Sequence, residues 1–292
     1  TLIGDPPNIL IGSATGLTFL DFVIHLGPIV VVLLAVTIVA FWFIYHRRGK
    51  IDAPVDQSQA TLARAGASVR ISDPRLLWHG AVVLALTLVG FVLHGTLGLE
   101  AGTVAMSGAI LLLLVSRKDT HAILSEVEWP TLFFFAGLFV LVGGLEEVGL
   151  LDWIARRVVD LTEGNTALTV LGLLWFSAIV SAIVDNIPAV ATMIPLTFSV
   201  ARLLNPDLAD LSDAALAVHP DVLPLWWALA LGADLGGNGS LVGASANVVA
   251  AGIAERRNEP IGFWGFTRVG APFTVVCLVF ASLYVWLRYL AF

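Results

Sequence analysis

The sequence predicts an all-α, polytopic membrane protein, and three observations lead to this fold class. Of the 292 residues, 58% are hydrophobic and 13% are charged, whereas roughly a quarter of the residues in a typical soluble domain are charged. The mean hydropathy is +0.92, and several apolar runs are long enough to cross about 30 Å of hydrocarbon. Glycine and small polar residues interrupt two apolar stretches, residues 1–10 and 236–255.

The two interrupted stretches contain two copies of one sequence motif. Residues 1–10 and 240–249 match or nearly match at seven of ten positions. Irregular backbone at membrane depth is tolerated only where protein buries it or where it lines a wet cavity. Paired interruptions in corresponding places point to a transporter's binding site. We therefore predict two broken helices whose breaks carry binding residues.

The first part of the chain is predicted to hold half a broken helix and one span. Residues 5–15 read as the second half of the first broken helix, because Pro6 and Pro7 suit a first helical turn. Residues 20–45 form an apolar span. The polar, arginine-rich segment 47–75 is predicted to be a cytoplasmic linker. Because the chain starts inside a motif, we expect it to lack an N-terminal part of a longer protein.

The remaining elements follow in residues 76–292. An amphipathic helix over residues 150–162 is predicted to lie in the membrane interface. Residues 167–203 form two apolar arms around Asp185-Asn186-Ile187-Pro188, and each arm is short for a full crossing, so we predict a re-entrant hairpin. The second broken helix covers residues 224–255. The predicted full spans are about 76–97, 101–116, 130–147 and 269–290.

The number of crossings gives the two copies opposite directions through the membrane. Four full spans lie between the two broken helices, and the hairpin returns to its own side. Basic residues in 47–75, at 117–118 and at 256–257 then fall on one side. Arg156 and Arg157 fall on the other side, and we assign them to the interfacial helix. An inverted repeat with half-helices meeting near the midplane is a secondary-transporter architecture.

The repeat also divides the chain. Residues 1–46 are the predicted end of the first repeat, and residues 76–292 are the second repeat.

Three motifs in order resemble the signatures of the ion transporter superfamily, specifically its ArsB/NhaD-type permease branch: TLIGDPPN, SAIVDNIPAVATMIPL and GADLGGNGSLVGASANVV. That branch groups arsenite permeases, sodium/proton antiporters and the melanosomal P protein, and the divalent-anion/sodium symporters are more distant. The resemblance implies two inverted repeats, each with a re-entrant hairpin and a broken helix. It also implies a homodimer, elevator-like motion, a bacterial-type plasma membrane and a first hairpin in the missing N-terminus.

Three carboxylates are the leading candidates for ion binding. Asp185 sits at the hairpin tip, Asp5 follows the first break and Asp234 precedes the second. Holding a charged carboxylate within the membrane costs free energy, so a functional role is the default hypothesis for each of them. Such a cluster attracts a cation or shares protons, because neighbouring negative charges repel each other. The alternative for Asp5 is a helix N-cap, and for Asp185 it is closure of the hairpin tip through backbone N–H groups.

Neutral polar residues at the breaks complete the candidate site. Unwound carbonyls there suit sodium, and half-helix N-termini suit an anion. Sodium is predicted at Asp185, Asn186, Asn238 and Asn247, and the other neutral candidates for substrate or ion binding are Thr1, Asn8 and Ser240. Backbone geometry is the assigned role of Gly4, Pro188, Gly236, Gly237 and Gly243. His25 lies in an apolar span, and its two alternative roles are a proton shuttle and a residue packed at a helix contact.

These residues predict a secondary active transporter of a small inorganic ion that works by alternating access. The coupling ion is H⁺ or Na⁺ with no other cofactor, and the activity is sodium/proton antiport or arsenite/anion permeation. A sodium-coupled symporter of an organic or inorganic anion is the alternative, although a charged Asp185 repels a dianion.

Two other classes fit less well. A membrane-embedded hydrolase would use Asp185 and Asp234 as acid and base, and it does not require an inverted repeat. A passive channel does not need carboxylates at both broken elements. The net charge of −7 offers no basic surface for nucleic acid. The expected partners are therefore the ion, the lipid bilayer and a second copy of the chain.

Overall fold

The computed structural model describes residues 2–47, 73–116, 119–256 and 259–291. Within these ranges the chain is helical and contains no strand. Six of the described helices are long and apolar enough to cross a membrane. These findings confirm an all-α, polytopic membrane protein. Thr1 and nearly all of the predicted linker over 47–75 lie outside the described residues.

The helices follow the predicted order, and we number them along the chain. In the first half they are α1 (Pro6–Thr15), α2 (Phe19–Arg47), α3 (Pro74–Leu97), α4 (Ala101–Ser116), α5 (Thr120–Ser125) and α6 (Trp129–Glu147). In the second half they are α7 (Leu150–Leu161), α8 (Thr166–Ile183), α9 (Asn186–Leu204), α10 (Asp213–Ala217), α11 (Leu223–Gly236), α12 (Ser245–Arg256) and α13 (Phe263–Val285). A π-helical turn, Trp286–Leu290, extends α13.

The structure differs from the sequence prediction in three respects. The last helix begins at Phe263, ahead of the predicted start near residue 269, because Gly265 and Arg268 continue the helix instead of ending it. The arms α8 and α9, with 18 and 19 residues, are both long and apolar enough to cross a membrane. The prediction that they are too short to cross is therefore wrong, and a re-entrant path stays a prediction. The short helices α5 and α10 were not predicted.

The chain divides into two compact units, one of which covers Val30–Val127. In this unit α3 and α4 form an antiparallel hairpin around Gly98, whose φ of 63° favours glycine. The two helices approach closely where Gly90 faces Val104, since a Cβ at Gly90 would lie 2.8 Å from the Val104 side chain.

The other unit contains Thr1–Ile29 and Glu128–Phe292, and its centre is the contact between α8 and α11. Gly232 of α11 lies against Leu174 and Ser177 of α8, and Gly236 lies against Ala178. Both residue numbers rise together along the contact, so the two helices run parallel. The motif Gly-Ala-Asp-Leu-Gly at 232–236 has the spacing of small residues that lets membrane helices approach closely.

The amphipathic helix α7 matches its predicted bounds and packs against α9. Leu151 and Ala155 are buried with 3% and 0% exposure. The Asp152 carboxylate accepts a hydrogen bond of 2.5 Å from the Ser199 hydroxyl of α9. The apolar face of α7 therefore packs against protein, and a position in the membrane interface stays a prediction.

Candidate ion-binding site at the helix breaks

The second broken helix is present, and α1 begins as expected for the second half of the first. Before α1, Asp5 is extended, with φ −148° and ψ 137°, and proline occupies the first helical turn. After α11, a 3₁₀ turn covers Gly237–Gly239, and the α-helix resumes only at Ser245. The 14 residues of α11 rise about 21 Å. This is less than the roughly 30 Å of hydrocarbon, so a helix that starts at the membrane surface breaks inside it.

The tip between α8 and α9 docks on the second break. The Asn186 backbone N–H donates to the Gly243 carbonyl at 3.2 Å. The Ser240 hydroxyl donates to the Ala182 carbonyl at 2.5 Å and accepts from the Gly243 N–H at 3.1 Å. The tip and the break are thereby held at the same level of the unit.

The first break joins the same site through two amide side chains. Asn8 Nδ2 donates to Asp234 Oδ2 at 2.7 Å, and Asn186 Nδ2 donates to Asp5 Oδ2 at 3.4 Å. The Asp5 and Asp234 carboxyl groups lie close enough to interact electrostatically. Asn8 and Asn186 are buried, with 2% and 5% exposure. Two broken helices and the hairpin tip therefore converge on one pair of carboxyl groups.

The surroundings of Asp5 favour one of its two interpretations. Asp5 occupies the N-cap position of α1, but its side chain makes no capping hydrogen bond. Its backbone carbonyl, and not its carboxylate, accepts a hydrogen bond from the Asn8 N–H at 3.1 Å. The carboxylate instead faces Asn186 of the hairpin, which favours a role in the site over a role in helix capping.

Asp185 makes the capping contact and a second contact to the broken helix, and its part in ion binding stays a prediction. Its Oδ1 accepts from the Ile187 N–H at 3.1 Å and caps α9. Its Oδ2 accepts from the Ser245 hydroxyl at 2.5 Å, at the first turn of α12. The sequence prediction did not include Ser245, although a serine at the start of a helix after a glycine-rich break is a recognisable signal. Asp185 thus links the hairpin tip to the second half of the broken helix.

Three other predicted residues direct their side-chain donors to backbone carbonyls around the second break. Asn247 Nδ2 donates to the carbonyls of Gly237 at 2.9 Å and Ser240 at 3.1 Å. Asn238 Nδ2 donates to the Asp234 carbonyl at 3.3 Å. Together with Ser240, these side chains brace the unwound backbone. Their part in ion binding stays a prediction, as does that of Thr1.

The glycines of the second break lie where the backbone packs tightly. A Cβ at Gly243 would lie 2.8 Å from the Gly237 carbonyl oxygen and 2.9 Å from that of Ser181. A Cβ at Gly237 would lie 3.0 Å from the Gly243 carbonyl oxygen, and Gly236 faces α8. Gly4 lies in the turn before α1, and Pro188 lies in the first turn of α9.

His25 is packed at a contact between helices. Its ring stacks on Trp227 of α11 with centroids 4.8 Å apart, and its Nδ1 lies 2.6 Å from the Tyr289 hydroxyl. The Tyr284 hydroxyl donates to the His25 backbone carbonyl. His25 therefore joins α2 to α11 and to the end of α13.

Comparison with known proteins identifies the family. A family model described as citrate transporter matches residues 1–232. The chain belongs to the citrate transporter family. It is 45% identical to an uncharacterized transporter of Mycobacterium tuberculosis, over 100% of this chain and 64% of the relative. A 46 kDa membrane protein of Mycobacterium leprae is 43% identical over 99% of this chain and 64% of its own length. The P protein of Sus scrofa is 40% identical over 72% of this chain and 25% of its length.

These relatives confirm the resemblance that the three motifs carry, since the P protein belongs to the branch they resemble. The names of the family and its relatives indicate a transporter and not an enzyme. The chain is an integral, multi-pass membrane protein, and its bacterial relatives indicate the plasma membrane. The chain covers 64% of the length of these mycobacterial relatives.

Proposed function

We propose that the chain forms part of a secondary active transporter that moves a small inorganic ion by alternating access, coupled to protons or sodium. The observation that carries the proposal is the meeting of Asp5 and Asp234 at the two helix breaks. Asn8 lies 226 positions before Asp234 in the chain, and the two still form a hydrogen bond. Neither carboxylate has a basic partner among the described residues.

The pair has the chemistry of a cation site. Two neighbouring carboxylates repel each other, and the low polarity of the membrane strengthens that repulsion. The amide donors of Asn8 and Asn186 stabilise part of this charge, but an amide cannot neutralise it. A proton or a sodium ion at the pair relieves the repulsion. Loading and unloading of the site therefore changes its charge, which is what coupling to an ion gradient requires.

Asp185 supplies a second position beside the first. Its carboxylate and the exposed Ser245 hydroxyl lie where the hairpin tip meets α12. Oxygen donors of this kind bind a small cation. This arrangement supports an exchange in which one ion leaves as another enters, as in sodium/proton antiport. Arsenite/proton exchange stays within the same proposal.

A sodium-coupled anion symporter is the second candidate, and the family description favours it. The matching family model is described as citrate transporter. The N-termini of α9 and α12 meet at the site, and helix N-termini favour anionic groups. A tricarboxylate would approach Asp5, Asp185 and Asp234 only after cations had neutralised them. This candidate therefore predicts uptake that strictly depends on sodium or protons.

The test uses the full-length protein in proteoliposomes that contain an internal pH dye. Sodium, lithium or arsenite is added outside, and sodium-driven uptake of radiolabelled citrate is measured in parallel. Asp234→Asn keeps the side-chain size and a hydrogen-bonding group for Asn8 but removes the charge. Asp160→Asn, an exposed position on α7, is the matched control. We expect cation-driven proton movement in the parent protein and the control, and at least a tenfold loss in Asp234→Asn.

Other outcomes are equally informative. If citrate uptake requires sodium and no proton exchange occurs, the symporter becomes the preferred function in place of the antiporter. An Asp234→Asn variant that transports as fast as the parent protein would refute coupling through the carboxyl pair. The homodimer is part of the proposal, and light scattering of the detergent-solubilised protein measures it.

A further inference from the structure

We propose that α7 carries a binding site for an anionic phospholipid, with the phosphate on Arg156 and Arg157 and an acyl chain in the apolar pocket beneath the helix. This helix connects α6, which ends at Glu147, to α8, which begins at Thr166. Because α7 is short and amphipathic, the sequence predicts that it lies at the level of the lipid headgroups, and the proposal rests on that position. The proposal is independent of the transported ion.

The two arginines are available for a phosphate. Both are exposed, and neither forms an ion pair within residues 119–256. Asp152 is bound to Ser199, and Asp160, one turn away, forms no ion pair in that range. The guanidinium group has the fork geometry that binds phosphate oxygens in pairs.

An aromatic ring stands next to the charged pair. The Arg157 guanidinium lies 5.5 Å from the centre of the Trp153 ring, and Trp153 is 57% exposed. Tryptophan is enriched at the headgroup level of membranes because its ring is apolar and its N–H is polar. The contact therefore places Arg157 beside a ring of the type that favours the headgroup level.

An apolar pocket of about 180 Å³ lies next to this surface. Its walls come from three helices: Val158 and Leu161 of α7, Gly172 and Phe176 of α8, and Leu196 and Val200 of α9. The hydroxyls of Thr162 and Thr169 at its edge bond to each other at 2.7 Å. The pocket therefore offers a ligand apolar contacts and no free polar group from these threonines.

The charged surface and the pocket adjoin each other. Trp153, Arg157 and Leu161 are four residues apart, so they form one row along the helix. Leu161, at the pocket rim, is 84% exposed. A ligand that covers this row needs a phosphate at one end and a hydrocarbon chain at the other. A phospholipid has this structure, whereas a soluble anion leaves the pocket empty. The site also explains why two arginines lie on the predicted non-cytoplasmic side, against the positive-inside rule.

Native mass spectrometry of the purified full-length protein tests the site. The protein is equilibrated with phosphatidylglycerol or with zwitterionic phosphatidylcholine, and retained lipid is counted. We expect phosphatidylglycerol to be retained in preference. Arg156→Gln with Arg157→Gln should weaken retention about 25-fold, at about fivefold for each charge near the membrane surface. The control is Arg75→Gln with Arg256→Gln, which removes the same charge at two other exposed positions.

A second variant fills the pocket and leaves the charge unchanged. Gly172 lines the pocket, and a Cβ there would meet nothing within 4 Å, so the first atom of the new side chain in Gly172→Leu meets no neighbour. Leucine also suits the helix better than glycine does, and the variant is expected to fold. We expect it to weaken lipid retention about tenfold, since it occupies the volume of several methylene groups. Retention at the parent level in either site variant, or an equal loss in the control, would overturn the proposal.

Discussion

Gly236→Ala should destabilise the protein, because Gly236 lies directly against the backbone of α8. A Cβ at this position would lie 2.5 Å from the Ala178 Cα and 2.8 Å from its carbonyl carbon. Backbone atoms cannot rotate out of the way as a side chain can, so α8 and α11 must separate. Overpacking of this kind costs about 1–3 kcal/mol, and we place this substitution at the upper end. The gain in helix propensity, about 1 kcal/mol in a helix interior, is smaller at this last residue of α11.

The expected net loss is about 2 kcal/mol, which corresponds to a fall in Tm of about 3 °C, because about 2.1 cal/mol/K for each of 292 residues gives an unfolding entropy of about 0.6 kcal/mol/K. Thermal unfolding of the purified protein in detergent, followed by tryptophan fluorescence, measures it. Gly252→Ala on α12 is the control, because a Cβ there meets nothing within 4 Å. It should unfold at or slightly above the parent temperature. A Gly236→Ala protein as stable as the parent would show that the close parallel contact does not exist.

Substitutions at three further positions test the site and its supports. Asp185→Asn should retain stability to within about 0.5 kcal/mol, because asparagine caps helices as well as aspartate does, whereas Asp185→Ala should lose about 1 kcal/mol. Transport should fall at least tenfold in both, and an active Asp185→Asn would leave Asp185 only its capping role. Ser240→Ala should lower the free energy of unfolding by about 1–3 kcal/mol, since two buried hydrogen bonds disappear; an unchanged Tm would contradict this. Tyr289→Phe removes the bond to His25 and should cost about 1 kcal/mol by the same assay.

Much of the fold could be predicted because lipid imposes simple rules. Apolar runs indicated the order of the helices, and proline with glycine placed the breaks within residues 1–10 and 236–255. Lengths near the membrane thickness are less informative: α8 and α9 have 18 and 19 residues, which suits both a hairpin and two crossings. The start of α13 was misplaced because glycine and arginine in a membrane helix resemble a loop in sequence. Gly270, inside the predicted span, lets the backbone of the second break approach, since the Asn238 carbonyl oxygen would lie 2.6 Å from a Cβ there.

The composition of the site could be predicted better than its pairings. Sequence reasoning selected all three aspartates, because charged residues are rare in apolar segments. It could not assign Asn8 to Asp234, since that contact depends on how α1 meets α11 in space. Asn8 and Asn247 occupy equivalent positions in the two copies, yet Asn247 bonds to its own break. Copies of one motif therefore make different contacts where their neighbours differ.

The bond between Asn8 and Asp234 has a consequence for biosynthesis. Ribosomes add about 5–20 residues per second, and 226 positions separate the two side chains. Roughly 10–45 s therefore pass before the partner of Asn8 has been synthesised. During this interval the polar end of α1 cannot complete its native contacts inside the bilayer. The insertion machinery has to shelter it, and slower translation between the two residues would lengthen the period in which membrane proteases can attack the nascent chain.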